Sequence, residues 1–271
     1  MKQELVRRVT DDEVAQFHRE GWVALEGLVS PGATSEMLDY LEHHLGKDGT
    51  RPLEGDRATK IIEAGFWRDW RFLARDERIE PFRSICHSPV MGENAYRLIG
   101  RRAATRFDID GVLVKIPQRS DGASTATEWH QDFPNASHDR VGQIVIWVAL
   151  HDIPPERGSL RFLPGTHREG PLGRTLRGGA DLVTQYPELL DRYSISPPLT
   201  MRAGDATAHN SLIVHSAPAN ITDRPRWAYA LNFFPADVCY NGAAFSNTDG
   251  LGLEIGKPID HPNFPIVYQP E

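Results

Sequence analysis

From about Ile109 onward the sequence is cut into short apolar runs with turn residues between them, and this limits the fold more than any other feature. The runs are "GVLVKIPQ", "GQIVIWVALHDI", "GSLRFLPGTH", "DATAHNSLIVHSA" and "RWAYALNFFP". Short apolar segments bounded by Gly, Pro, Asn and Asp read as strands. Strands at this spacing build a sandwich or a jelly roll.

The first third reads differently. Thr10 followed by Glu13 is a capping box, Val14 and Phe17 supply an apolar face, and Gly21 stops the helix. "WVALEGLV" is a short strand. Ser30-Pro31 opens a second helix, with Met37, Leu38, Leu41 and Leu45 at helical spacing. The stretch from Gly46 to Arg75 is irregular, and a third helix is expected from Pro81 to Ile99. The expectation is one domain over 1–271, with 1–109 mostly helical and 110–271 a jelly-roll core and tail. The insert from Arg168 to Pro198 and the tail from Tyr240 fit neither pattern and read as long loops, which often bind ligands.

Composition excludes several roles. A net charge of −7 opposes binding to nucleic acid, which needs a basic face. The longest apolar run, "IVIWVAL", suits a buried strand and is too short to span a membrane. The N-terminal "MKQELVRRVTDDEV" lacks the apolar centre of a signal peptide. Cys86 and Cys239 are too few for a disulfide framework, and are read as reduced thiols in a cytoplasmic protein. The expected partner is a small-molecule substrate.

The chemistry centres on "WHQDFP". On a strand, side chains at i and i+2 point to one face, roughly 7 Å apart. His130 and Asp132 could therefore converge on one ion, and two histidines with one carboxylate suit iron(II). The chain has 11 histidines, and this is its only His-x-Asp. His43, His44, His138, His151 and His261 are assigned to the surface. Taken alone, the pair is better explained by two polar residues hydrogen-bonding a strand end.

A second segment adds weight: "GDATAHNSLIVHSAPANITDRPRWAYALNFF". A strand is expected to run to His215. A hairpin through "SAPANITDRP" would then bring Arg226 back beside it. Arg226, Ala228, Ala230 and Asn232 share one face. An arginine buried among alanines is costly unless an anion meets it, and a guanidinium can hold a carboxylate through two bonds. His209 and Ser211 share the parity of His215, so either could enter the barrel. Lys115 shares a face with Leu113, with pocket and solvent as its two possible homes. Trp129 and Trp147 are assigned to the core.

These residues carry a resemblance. "WHQDFP", "IVIWVALHDIPPERGSLRFLPGTHR", and His215 followed by Asn220 and Arg226 are similar to the phytanoyl-CoA hydroxylase-like family of Fe(II)- and 2-oxoglutarate-dependent dioxygenases. The likeness extends to "VTDDEVAQFHREGWVALEGLVS" and the tail "IDHPNFPIVY". It implies a double-stranded β-helix, a cupin-like jelly roll that is mainly β with flanking helices. It implies His130, Asp132 and His215 as iron ligands, Arg226 on the C5 carboxylate of 2-oxoglutarate, Lys115 reaching the same pocket, and O2 as oxidant. Some relatives carry a hydroxyl residue two positions after the distal histidine. Ala217 stands there in this chain.

The expected substrate is a bulky, largely apolar small molecule of specialised, polyketide-like antibiotic metabolism. Phe66, Trp67 and Trp70 offer stacking surface, Arg68 and Arg71 offer hydrogen bonds, and His209 is a further candidate contact. The two tryptophans sit at helical spacing, which equally suits packed core. The sequence leaves hydroxylation, desaturation, cyclisation and epimerisation open. It also leaves two other classes open: a metal-dependent hydrolase or isomerase on the same jelly roll, and an amino-acid hydroxylase of the same family.

Overall fold

The structure is a computed structural model that describes residues 4–55, 61–64, 67–118, 126–173 and 181–271. Helix α1, Asp11–Glu20, begins with the expected capping box: Glu13 N donates to the Thr10 hydroxyl at 3.2 Å and Thr10 N donates to the Glu13 carboxylate at 2.8 Å. Gly21 ends it at φ 81, a conformation glycine adopts without steric cost. Strand β1, Trp22–Leu25, follows, then α2, Pro31–Leu45, capped by Ser30.

Strands β2, Ile61–Ala64, and β3, Trp67–Arg71, replace the irregular stretch expected there. The single helix expected from Pro81 to Ile99 is two, α3 at Phe82–Cys86 and α4 at Pro89–Ile99. Pro89 pushes the residue before it out of helical geometry, so Ser88 turns extended (φ −61, ψ 129) and caps the second helix.

The body continues with β4, Thr105–Lys115; β5, Thr127–His130; β6, Ile144–Ala149; and β7, Arg161–Phe162. Among its described residues the long insert then holds two short helices, α5 at Leu182–Gln185 and α6 at Glu188–Arg192. The last strands are β8, Ala206–Asn210; β9, His215–Ala217; β10, Arg226–Pro235; and β11, Ile266–Tyr268. The described residues among 1–109 thus contribute three complete strands and the start of β4 besides their helices.

Among the described residues the strands form two sheets. The major sheet runs β1-β8-β6-β10-β4-β3-β2, with β11 also on β4, and the minor sheet runs β5-β9-β7. All described pairings are antiparallel. This is the expected mainly β architecture, a double-stranded β-helix with helices packed outside.

Alternation in β10 shows how each face is used. Trp227, Tyr229, Leu231 and Phe233 join the core beneath the helices, while Ala228 and Ala230 face the minor sheet. A strand buried on both faces needs apolar side chains on both, which "IVIWVA" of β6 also supplies.

One expectation changes. The run from Asp205 to Ala217 is not one strand, and β9 and β10 do not form a hairpin. After β8 the Asn210 side chain accepts from Leu212 N at 2.8 Å, and the chain turns and crosses to the minor sheet. Side-chain parity is therefore not carried from His209 to His215. No helix of the described residues is long and apolar enough to cross a membrane.

Candidate active site

Two strands of the minor sheet bring the first histidines together. His130 on β5 and His215 on β9 are register partners, and their ring centroids lie 4.1 Å apart. His130 Nδ1 lies 2.7 Å from the Glu128 carbonyl and His215 Nδ1 lies 3.1 Å from the Ile213 carbonyl. A carbonyl only accepts, so each Nδ1 carries the proton and each Nε2 presents a lone pair.

Both lone pairs face Asp132, whose Oδ1 is 3.6 Å from His130 Nε2 and 3.9 Å from His215 Nε2. Burial holds both imidazoles down to about 4, which leaves them uncharged at neutral pH. Burial pushes the Asp132 carboxyl up, but His215, the His209 hydrogen bond and His130 together bring it well below the usual carboxylate range. Two neutral imidazoles and one ionised carboxylate, with ligand atoms all within 4.8 Å of one another, fit a divalent metal ion.

Asp132 reaches this position without lying on a strand. β5 ends at His130, and Asp132 has φ −77 and ψ −41 at the start of the turn Phe133–Asn135. Convergence comes from this turn and not from strand parity.

A second set of groups comes from the major sheet. Arg226 is buried on β10 and donates to the Gly158 carbonyl at 3.0 Å. Its guanidinium lies 5.0 Å from the Trp147 ring, and its Nε is buried with no hydrogen-bond partner. Burial pulls its pKa to about 9. Gly158 sits at φ +79, where an added Cβ would meet the Pro218 carbonyl oxygen at 2.7 Å. Glycine is what lets the chain turn here with its own Gly158 carbonyl facing Arg226.

Lys115, its register partner on β4, is 1% exposed, so the solvent alternative does not hold. It donates to the Ala217 and Pro218 carbonyls at 3.2 and 2.9 Å. Burial, with Arg226 and Arg161 adding repulsion, pulls its pKa to about 6. Neither group has a carboxylate partner among the described residues, so an anion entering here would pair the Arg226 guanidinium and draw a proton onto Lys115.

Both sets line one cavity of about 310 Å³. Trp67, Asp69 and Arg71 line it too, because they alternate on β3. Trp70 points the other way. It is 2% exposed in the core beneath the helices, with its ring 6.0 Å from that of Tyr40. Its expected role against substrate is therefore corrected: the segment is a strand, and strand alternation separates Trp67 from Trp70. Arg68 is likewise buried away from the cavity, donating to the Gly49 and Arg51 carbonyls. Phe66 and residues 174–180 of the long insert lie outside the described residues.

His209 enters the cavity, but its Nε2 lies 3.2 Å from Asp132 Oδ2. Ser211 is buried in the turn and does not line the cavity. The surface assignment fails for His138, which is 5% exposed and 3.7 Å from Asp108. His44 is half-buried against Trp70, and His151 is half-buried, its Nε2 accepting from Trp227 N at 3.0 Å.

Sequence reasoning missed Asn135, Gln143, Asp69 and Phe245, which line the cavity. Asp69 was within reach, because reading "WRDWR" as a strand puts it with Trp67. Phe245 is brought in by the tail, and no local pattern signals that.

A profile of the family described as Phytanoyl-CoA dioxygenase (PhyH) matches residues 17–228. Phytanoyl-CoA dioxygenase domain-containing protein 1 of Bos taurus is 30% identical, over 84% of this chain and 91% of its own. Among solved structures, the epimerase SnoN in complex with Fe3+, alpha ketoglutarate and nogalamycin RO superposes with a TM-score of 0.75 at 24% identity, covering 95% of this chain and 98% of its own. EctD from S. alaskensis with 2-oxoglutarate and 5-hydroxyectoine superposes with a TM-score of 0.69 at 19% identity, covering 88% of this chain and 83% of its own.

Proposed function

The chain belongs to the phytanoyl-CoA dioxygenase family, and from that premise we propose that His130, Asp132 and His215 hold iron(II) while Arg226 and Lys115 hold 2-oxoglutarate. It is an enzyme of the non-haem Fe(II)- and 2-oxoglutarate-dependent oxygenase class. When bound, iron and co-substrate activate O2 to oxidise the substrate, and 2-oxoglutarate leaves as succinate and carbon dioxide.

The chain's own residues bind, orient and exclude water. Nδ1-to-carbonyl bonds fix the two imidazoles so that Nε2 faces the metal position. The guanidinium of Arg226 receives the distal carboxylate through charge-assisted bonds. Lys115 supplies the second contact that Ala217, with its methyl side chain, does not. Ala217, Ala230 and Gly111 keep the wall low, which leaves room for the co-substrate. We propose that the helical N-terminal part and the β body work as a single domain, since β1, β2 and β3 belong to the major sheet.

The substrate reading is a bulky, largely apolar molecule, oxidised by hydroxylation or by radical cyclisation or epimerisation, in polyketide-like antibiotic biosynthesis. Trp67, Ile109, Leu113 and Phe245 supply apolar wall, with Asp69, Gln143 and Asn232 as polar points. SnoN, whose complex holds nogalamycin RO, supports this reading by analogy of fold. EctD, crystallised with 5-hydroxyectoine, favours the alternative of a small polar substrate of the amino-acid type. The free cysteines Cys86 and Cys239 support a cytoplasmic location.

The observation that carries the reading is the juxtaposition, in one cavity, of a three-ligand metal group and two buried basic side chains that have no carboxylate partner among the described residues. It disfavours a metal-dependent hydrolase or isomerase, which has no use for the basic pair. The test is an anaerobic titration of the iron-loaded protein with 2-oxoglutarate, followed by addition of candidate substrates. A visible charge-transfer band that polycyclic compounds perturb, with succinate formed when O2 is admitted, is the expected result. A band perturbed by free amino acids alone would replace the substrate reading with its alternative.

A further inference from the structure

The geometry points to His209 as a positioning residue that decides which oxygen of Asp132 faces the metal. The inference rests on the metal reading above and deepens it. Asp132 lies on a turn, and nothing on its own segment holds its carboxylate. Among the described residues, His209 Nε2 is its hydrogen-bond donor, 3.2 Å from Oδ2. The other oxygen, Oδ1, is the one turned to His130 and His215. The two oxygens are thus sorted: Oδ2 is engaged from the major sheet and Oδ1 is left for the metal. An ionised carboxylate only accepts, so Nε2 carries the hydrogen of this bond.

His209 is built to stay in place. It lies on β8 between register partners Trp22 on β1 and Val145 on β6. Its ring centroid is 4.5 Å from that of His215 and 5.6 Å from that of Phe162, which is itself stacked on Trp22 at 4.5 Å.

A purely structural histidine is a poor explanation. The residue is 2% exposed, and its Nδ1 is buried with no partner. An unpaired buried nitrogen is destabilising, and an apolar side chain would pack here without that cost. The contact with Asp132 is the one polar interaction that an imidazole adds at this position among the described residues.

The test compares His209→Leu, which keeps bulk and loses the donor, with His209→Gln, which keeps a donor at similar reach. His130→Ala serves as a control for the metal site itself. Fe(II) and Co(II) affinity is measured on the metal-free proteins by competition with a chelating dye. Loss of a partner that orients a ligand typically weakens metal binding about ten- to a hundredfold. That loss is expected for His209→Leu, with His209→Gln recovering most of it and all variants keeping the wild-type circular dichroism.

Wild-type affinity in folded His209→Leu would overturn the role, as would equal losses in the Leu and Gln variants. If His209→Leu does not fold, proton NMR of the wild-type metal-free protein with 15N-labelled histidine decides. A downfield Nε2 proton assigned to His209 supports the bond to Asp132, and its absence removes it. Undiminished metal binding by His130→Ala would instead overturn the metal site, and the positioning role with it.

Discussion

Lys115 and Arg226 stand opposite one another on β4 and β10 as Cα partners in an antiparallel ladder. Among the described residues they meet only backbone carbonyls and an aromatic face. Burial and the neighbouring guanidinium drive the proton off Lys115 while Arg226 keeps its charge, and a dicarboxylate entering the pocket would return that proton and pair both groups.

Arg226→Ala should raise the apparent KM for 2-oxoglutarate. A hydrogen bond to a charged group contributes about 1.5–3 kcal/mol, on the order of 10- to 100-fold. Arg224→Ala, in the exposed loop before β10, should leave it unchanged. Initial rates against 2-oxoglutarate concentration make the comparison, and equal rises in both variants would count against a specific anchor.

Lys115 gives the ligand-free protein a pH dependence. Its pKa falls from 10.5 in the free side chain to about 6 in the fold. Between those values the unfolded chain holds the extra proton, so this group makes stability rise with pH across that window. The penalty is complete below pH 6 and absent above the free value. Melting temperatures measured from pH 6.5 to 9 should rise in the wild type and rise less in Lys115→Met. Binding of 2-oxoglutarate at pH 7.5 should take up a proton, seen as a buffer-dependent heat in calorimetry.

Iron(II) should raise the melting temperature, because it binds the folded chain alone. His130→Ala, Asp132→Ala and His215→Ala should each lose that rise and all turnover while keeping the circular dichroism of the wild type. Normal turnover in His215→Ala would show that the ligand set is wrong.

Trp67 and Trp70 should separate cleanly. Trp70→Ala leaves a cavity in the core beneath the helices and should cost about 3–5 kcal/mol in urea unfolding. Trp67→Ala should change stability far less and shift the KM for the organic substrate. Kinetics identical to wild type in Trp67→Ala would remove it from the substrate wall.

How far the sequence reached follows from which signals are local. The capping box at Thr10 and the alternation of β10 involve neighbours in the chain, and both are in the structure as read. His130 and His215 could be chosen as partners only through resemblance, since β5 and β9 pair across a long separation. Two errors had one cause, a period misjudged in a short segment. Trp67 and Trp70 are three apart, which mimics a helix, yet the five residues of β3 alternate. Parity from His209 to His215 was broken by the turn at Asn210, where an Asn-Ser pair is itself a turn signal. His138 looked exposed beside turn residues and is buried because the tail covers it, with His138 bridged to Tyr240.

The two functional groups are carried by different layers. His130 and His215 belong to the minor sheet, whereas Lys115 and Arg226 belong to the major one, with Leu160, Phe162 and Trp147 packed between the layers. A molecule gripped at both ends measures the gap between those layers, much as a caliper does. On the proposed ligand assignment, selection among 2-oxo diacids of different carbon count would follow from interlayer packing and not from any single contact. Enlarging Leu160, which lines the cavity, would then reset the accepted chain length without touching Arg226 or Lys115.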